Sequence, residues 1–149
     1  MEGKLANEYA EQFNKLIPEF IRAAKSQEVK RLARYSLTLP QYFAMSALED
    51  NGTCMMSGVG EELGLTLGTV TGIIDRLVRE NLVERCADDS DRRIVLARLT
   101  QKGLKLIQRI HQDRVETLSK SLREMDKEEI AAFTELLVKV GTRLARDDI

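Results

Sequence analysis

Three features of the 149-residue sequence predict a mainly α-helical fold carrying one small β-hairpin. Apolar residues recur at three- and four-residue spacings over both ends of the chain, the period of a helix face. Two short β-branched and aliphatic runs flank a single polar segment, Ala87 to Arg93. Only 2 prolines and 9 glycines interrupt the whole. With 43% hydrophobic residues, the chain can build the core of one domain or of two small packed ones. No apolar run approaches the roughly 20 residues that span a bilayer, and Met1 to Asn7 lacks the basic and apolar regions of a leader. A soluble, cytoplasmic protein without a membrane partner is expected. Cys54 and Cys86 are too few for a disulfide framework, and with the single His111 they offer no metal-ligand spacing, so neither metal nor cofactor is expected.

The first helix starts at Leu5, with Tyr9, Phe13, Leu16, Ile17, Phe20, Ile21 and Ala24 on one face. Pro18 lies inside it and should bend the helix or open it near Asn14, because it lacks the backbone donor. A second helix starts around Pro40, runs through Tyr42, Phe43, Met45, Ala47 and Leu48, and stops at Asn51-Gly52. Ser57 to Leu63 forms a short helix closed by Gly64. Thr66 then caps a helix from Leu67 to Glu80, whose buried face is read as Leu67, Val70, Ile73, Ile74 and Leu77. Asn81 suits a left-handed turn at its end. Leu82 to Cys86 and Ile94 to Leu99 follow as the two strands of the hairpin. Thr100 caps a long helix with a stripe of Leu104, Ile107, His111, Val115, Leu118 and Leu122. Asp126 and Glu129 form a capping box before Ile130, Phe133, Leu137, Val140 and Leu144, spaced like heptad positions.

Two short helices joined by a glycine turn and followed by a hairpin make a winged helix-turn-helix. It occupies residues 37–100, with residues 1–36 and 101–149 as helical dimerisation regions. A chain of this size has too little central core to cover three amphipathic terminal helices, so a homodimer built from them is expected. The exposed start of the second short helix carries Gly68, Thr69, Thr71 and Gly72, with Asp75 and Arg76 further along. Small and hydroxyl-bearing residues let a helix approach the floor of a major groove, where threonine can bond bases or phosphates and touch the thymine methyl. At the hairpin tip, Arg92 and Arg93 are long cations suited to a narrow minor groove. Asp91 beside them is read as an orienting group, pairing with one guanidinium and aiming the other outward.

These residues resemble the MarR family of winged helix-turn-helix transcriptional regulators over nearly the whole chain. The likeness is carried by Asp91-Arg92-Arg93 and Leu99-Thr100-Gln101-Lys102-Gly103, by the run from Arg76 to Arg85, and by Thr38-Leu39-Pro40-Gln41-Tyr42. Asn81 stands where the family more often has glycine, a change its left-handed tolerance accommodates. The resemblance implies that Thr66, Gly68, Thr69, Thr71 and Arg76 face the major groove and that Arg93, oriented by Asp91, is the wing-tip arginine. It implies a homodimer on a pseudo-palindromic double-stranded operator, a repressor that releases DNA when a small, often phenolic, anion binds. Tyr42, Phe43 and His111 are the candidates for lining an effector pocket, although aromatic residues at helical spacing and a histidine on an apolar stripe serve first as core.

Charge placement agrees with that reading. The net charge of −1 argues, as an average, against a nucleic-acid binder. From Thr66 to Arg109, however, nine basic and six acidic residues give +3, and the other residues, 14 basic and 18 acidic, give −4. No phosphate-binding glycine loop, His-paired nucleophile or metal cluster supports an enzyme. Two alternatives have other signatures: a protein-binding winged module without an operator, and a thiol-based oxidant sensor using Cys54 or Cys86. The peroxide-sensing branch of the family places its cysteine near the N-terminal helix, where this chain has none.

Overall fold

The computed structural model describes residues 2–144 and divides into two compact units, Met1–Ile110 and His111–Ile149. The last five positions of the expected C-terminal dimerisation region, 145–149, lie outside the described residues. The first unit contains α1 (Glu2–Ala33), α2 (Leu39–Asn51), β1 (Cys54–Met55), α3 (Met56–Leu63), α4 (Leu67–Arg79), β2 (Val83–Ala87) and β3 (Val95–Leu99). It also holds the first turns of α5 (Gln101–Leu122), and the second unit holds the remainder of α5 and α6 (Lys127–Leu144). Among the described residues no helix is long and apolar enough to cross a membrane.

Helix α1 runs unbroken through Pro18. The opening expected near Asn14 is not observed, because a helix of 32 residues keeps its hydrogen bonds on both sides of the one that proline removes. Its apolar face is exposed along Tyr9, Phe13, Leu16, Ile17, Phe20 and Ile21, and only near its end does Leu32 enter the core. There the amides of Tyr35 and Leu37 both donate to the Leu32 carbonyl, and Ser36 takes a left-handed φ of 57°. Helix α2 starts with a reciprocal capping box. The Thr38 hydroxyl accepts from the Gln41 amide, and the Gln41 side chain accepts from the Thr38 amide at 2.8 Å.

The core of the first unit gathers Leu32 and Leu37, then Ala44, Met45 and Leu48 from α2, Val59 from α3, and Val70, Ile74 and Leu77 from α4. Val83, Ala97, Ile107 and Ile110 complete it from the sheet and α5. The sheet is antiparallel in the order β1-β3-β2. Strand β1 was not expected from the sequence, since two residues show no periodicity; it pairs Cys54 with Ala97 and Met55 with Leu96. The hairpin register runs from Val83 opposite Leu99 to Ala87 opposite Val95.

Both C-terminal helices begin where capping chemistry dictates. Thr100 Oγ1 accepts from the Gly103 amide at 3.0 Å, and Asp126 and Glu129 exchange side-chain and amide hydrogen bonds at 2.8 and 2.9 Å. In α6, Phe133, Leu136, Leu137, Val138 and Val140 are exposed. Gly103 is confined by its neighbours: a β-carbon there would sit 2.1 Å from the Leu82 carbonyl oxygen, where no atom fits. Gly103→Ala should therefore destabilise the first unit by about 1–3 kcal/mol or more, the usual cost of overpacking against backbone. Urea denaturation should show the midpoint falling, and an unchanged midpoint would refute the close approach.

Candidate nucleic-acid interface

The helix-turn-helix is closed by backbone geometry. Gly64 ends α3 in the left-handed conformation (φ 63°), and the Leu65 amide donates to the Gly60 carbonyl at 2.9 Å. A β-carbon on Gly60 would lie 2.9 Å from the Leu65 carbonyl oxygen, so the turn is tight from both sides. Thr66 then caps α4, its hydroxyl accepting from the Thr69 amide and lying 2.9 Å from the Thr69 hydroxyl.

Helix α4 buries Val70, Ile74 and Leu77 and half-buries Ile73. Leu67, read from the sequence as part of that face, is 57% exposed. It lies one turn ahead of Val70, the first α4 residue in the core, which packs over Gly60. The opposite face places Gly68, Gly72, Asp75, Arg76 and Arg79 along one outward row, at spacings of one helical turn or less. Thr66, Gly68, Thr69 and Arg76 are exposed, while Thr71 is half-buried and its hydroxyl donates to the Leu67 carbonyl at 2.8 Å. Arg79 is not singled out by the sequence motifs, though its position seven residues after Gly72 puts it on the same row.

The two glycines on that row have no internal purpose. A β-carbon at Gly68 or Gly72 meets nothing within 4 Å, and neither residue needs a positive φ. Each costs the helix about 1 kcal/mol relative to alanine. A residue that weakens its own helix while filling no tight space points to a requirement outside the chain.

Four of the six acidic residues between Thr66 and Arg109 make side-chain ion pairs or hydrogen bonds. Asp75 pairs with Arg85 of β2 at 2.6 Å, and Glu84 pairs with Arg98 across the hairpin at 2.7 Å. In the wing tip, Asp88 Oδ1 accepts from the amides of Ser90 and Asp91, at 2.8 and 3.1 Å, and from the Ser90 hydroxyl. The hydroxyl bond, then the two amides, hold the Asp88 carboxyl below its usual range. Asp91 works differently from the expected ion pair: its Oδ1 accepts from the backbone amide of Arg93 at 3.0 Å, so it shapes the main chain rather than a guanidinium. Arg76, Arg92 and Arg93 are exposed and enter no ion pair among the described residues.

The other candidates are placed less coherently. Tyr42 is 5% exposed and sits in the core, while the neighbouring Phe43 is 48% exposed, their rings 5.6 Å apart and tilted. His111 is half-buried on α5 and opens the second unit. Cys54 and Cys86 lie on the two outer strands, opposite the adjacent β3 residues Ala97 and Leu96, so their side chains point to opposite faces of the sheet. Two strand spacings, about 10 Å, separate them, which prevents a disulfide within the chain. Burial, and then the nearby Glu62 carboxylate, push the Cys54 thiol up, away from the reactive thiolate.

A tight helix pair, a capped outward-facing helix with glycines at Gly68 and Gly72, and a hairpin tip carrying exposed arginines define a winged helix-turn-helix protein. The MarR family profile matches residues 37–95. The chain is 32% identical over 122 residues to the HTH-type transcriptional regulator YsmB of Bacillus subtilis, covering 82% of each chain. Its fold matches a MarR family protein from Bacillus stearothermophilus, with a TM-score of 0.87, 26% identity and coverage of 93% of this chain and 97% of that one. It also matches a mutant of MarR from E. coli complexed with operator DNA, with a TM-score of 0.68, 24% identity and coverage of 87% and 93%. The chain belongs to the MarR family and is a winged helix-turn-helix transcriptional regulator.

The wing tip makes a pH prediction. Because Asp88 is lowered in the folded chain, its contribution to tip order is complete above the ordinary carboxylate value of 3.8 and is lost only as pH falls through the lower folded value. NMR shifts of the Ser90 and Asp91 amides should stay constant from neutral pH to well into the acid range and then titrate with a midpoint below 3.8. A midpoint at or above that value would show that the hydrogen bonds are not formed in solution.

Proposed function

We propose that the protein is a homodimeric repressor that reads a pseudo-palindromic operator. Helix α4 enters the major groove with Thr66, Gly68, Thr69, Thr71 and Arg76 facing the DNA, and the wing brings Arg92 and Arg93 to the adjacent minor groove. The observation that carries this reading is the outward row of α4, where Gly68 and Gly72 give up helix stability without any internal contact to justify it. With no Cβ on those two turns, the helix backbone can approach base edges closely, and the threonine hydroxyls and methyls beside them can read those edges. Arg76 supplies a cation further along the same helix, at the height of the groove lip.

The exposed apolar residues of α1 and α6 support the homodimer. A single chain leaves Phe13, Phe20, Leu136 and Val138 each about as exposed as a surface residue, which isolated soluble chains avoid in contiguous stripes. Two copies paired through these helices would present two α4 helices, and reading adjacent major grooves requires them to lie about 34 Å apart. Release by a small phenolic anion is the part of the proposal drawn from the family.

A fluorescence titration of the full chain on duplexes spanning the region upstream of its own gene tests the reading. A complex that survives nonspecific competitor and dissociates on addition of 2-hydroxybenzoate is expected. Absence of any competitor-resistant complex would leave the protein-binding winged module as the function, and a complex indifferent to the phenolate would remove that effector class. Within the same assay, Gly68→Ala and Gly72→Ala should each raise stability by about 0.5–1 kcal/mol while lowering operator affinity. Stabilised variants that bind as tightly as the wild type would show that the row does not contact DNA.

A further inference from the structure

Three successive carbonyls at the end of the recognition helix are each held by a residue at the start of α5. The Leu82 carbonyl accepts from the Thr100 amide at 3.0 Å, the Asn81 carbonyl from the Thr100 hydroxyl at 2.7 Å, and the Glu80 carbonyl from Lys102 Nζ at 2.7 Å. Two of these bonds belong to Thr100, which also caps α5 and sits beside the packed Gly103, so they are part of the fold. The third is different. Lys102 is exposed, 22 residues from its acceptor, and has the whole solvent available to its ammonium group.

Glu80 closes α4, and its carbonyl is one of the last in the helix, with no partner inside it and with the negative end of the helix dipole around it. An ammonium group at that point satisfies both demands. It also fixes the far end of the helix whose outward row carries Gly68, Gly72 and Arg76. On the wing side, the Asp75–Arg85 pair ties the middle of the same helix to β2. The recognition helix is thus held along its exposed half by one tether to the wing and one to α5.

We infer that Lys102 is a positioning residue for DNA reading: it sets the tilt of α4 through the Glu80 carbonyl and does not itself contact DNA. This rests on α4 being the recognition helix. One donor of the Lys102 ammonium is spent on a main-chain carbonyl, which anchors the group beside the helix end, and a small rotation of a helix about its C-terminal end moves its N-terminal turns most, which is where base edges are read.

The test uses the full chain and a duplex recovered from a random-sequence pool by the wild type, together with an unselected duplex. Recovery of a preferred sequence by the wild type is the control that separates failure of this inference from failure of the recognition-helix reading. Lys102→Met should weaken binding to the selected duplex by about three- to tenfold, the effect of one lost carbonyl hydrogen bond on an aligned helix. It should leave the unselected duplex and the salt dependence of binding unchanged, and Lys102→Arg, which keeps a cationic donor, should restore discrimination. A salt slope reduced by about one, with both duplexes weakened alike, would identify Lys102 as a phosphate contact and overturn the proposal. Unchanged affinity in the methionine variant, or failure of arginine to restore discrimination, would overturn it as well. A urea midpoint measured on each variant confirms that the fold is intact.

Discussion

The winged helix-turn-helix depends on the closure of one backbone turn, where α4 ends and β2 begins. Asn81 takes a left-handed φ of 58° and reverses the chain, which leaves the carbonyls of Glu80, Asn81 and Leu82 pointing away from any helical or sheet partner. These carbonyls need a donor, and residues of the chain come to them. These are Thr100 and Lys102, and they reach because Gly103 lets α5 pass with its backbone against the Leu82 carbonyl. The same few residues also end the hairpin, since Val83 pairs with Leu99 directly beside the turn. Helix α4, the base of the wing and the first turn of α5 therefore meet in one locked point.

Most of this was legible in the sequence, for a physical reason. Helix ends are specified by local chemistry that single residues announce: Thr66, Asn81, Thr100, and Asp126 with Glu129 all cap or turn where their side chains and backbone preferences require, while the Thr38–Gln41 box went unread behind Pro40. What escaped depends on neighbours distant in sequence. Strand β1 exists only because β3 is there to receive two residues, and no period can be read from two residues. Leu67 fits the apolar spacing of α4 yet lies beyond the core, because spacing records a direction around the helix and says nothing of how far along it the core extends. Ser36 takes a left-handed conformation at the end of α1 that its residue type does not advertise. At the hairpin tip, the exposure of Arg92 and Arg93 was legible, but the way Asp91 acts was not, since a carboxylate two residues before an arginine serves its amide as readily as its guanidinium.

The basic character of the segment also reads differently once partners are known. Counted along the sequence, six acidic residues dilute nine basic ones. In the fold Asp75 and Glu84 are held by Arg85 and Arg98, and Asp88 and Asp91 spend their oxygens on tip hydrogen bonds. These acids are building material, and the arginines they engage are on the strands, away from the tip. Arg76, Arg92 and Arg93 enter no ion pair among the described residues, so the cations left without an ion-pair partner lie on α4 and at the wing tip, while the net charge of the segment is unchanged.

Two places in the chain violate the rules that the rest of it obeys. One is α4, with glycine in two exposed helical turns where alanine would fit and stabilise; the other is the set of terminal helices, with phenylalanine, leucine and valine facing outward. Elsewhere caps are satisfied and core positions are apolar, so neither departure reflects a carelessly built sequence. The two departures are opposite in kind, a lack of side chain and an excess of apolar side chain. A partner approached through backbone and small groups suits the first, and a partner offering an apolar surface of its own suits the second. Duplex DNA meets the first description and a second copy of the chain meets the other, so the two departures are the features that the proposed dimer on an operator would explain.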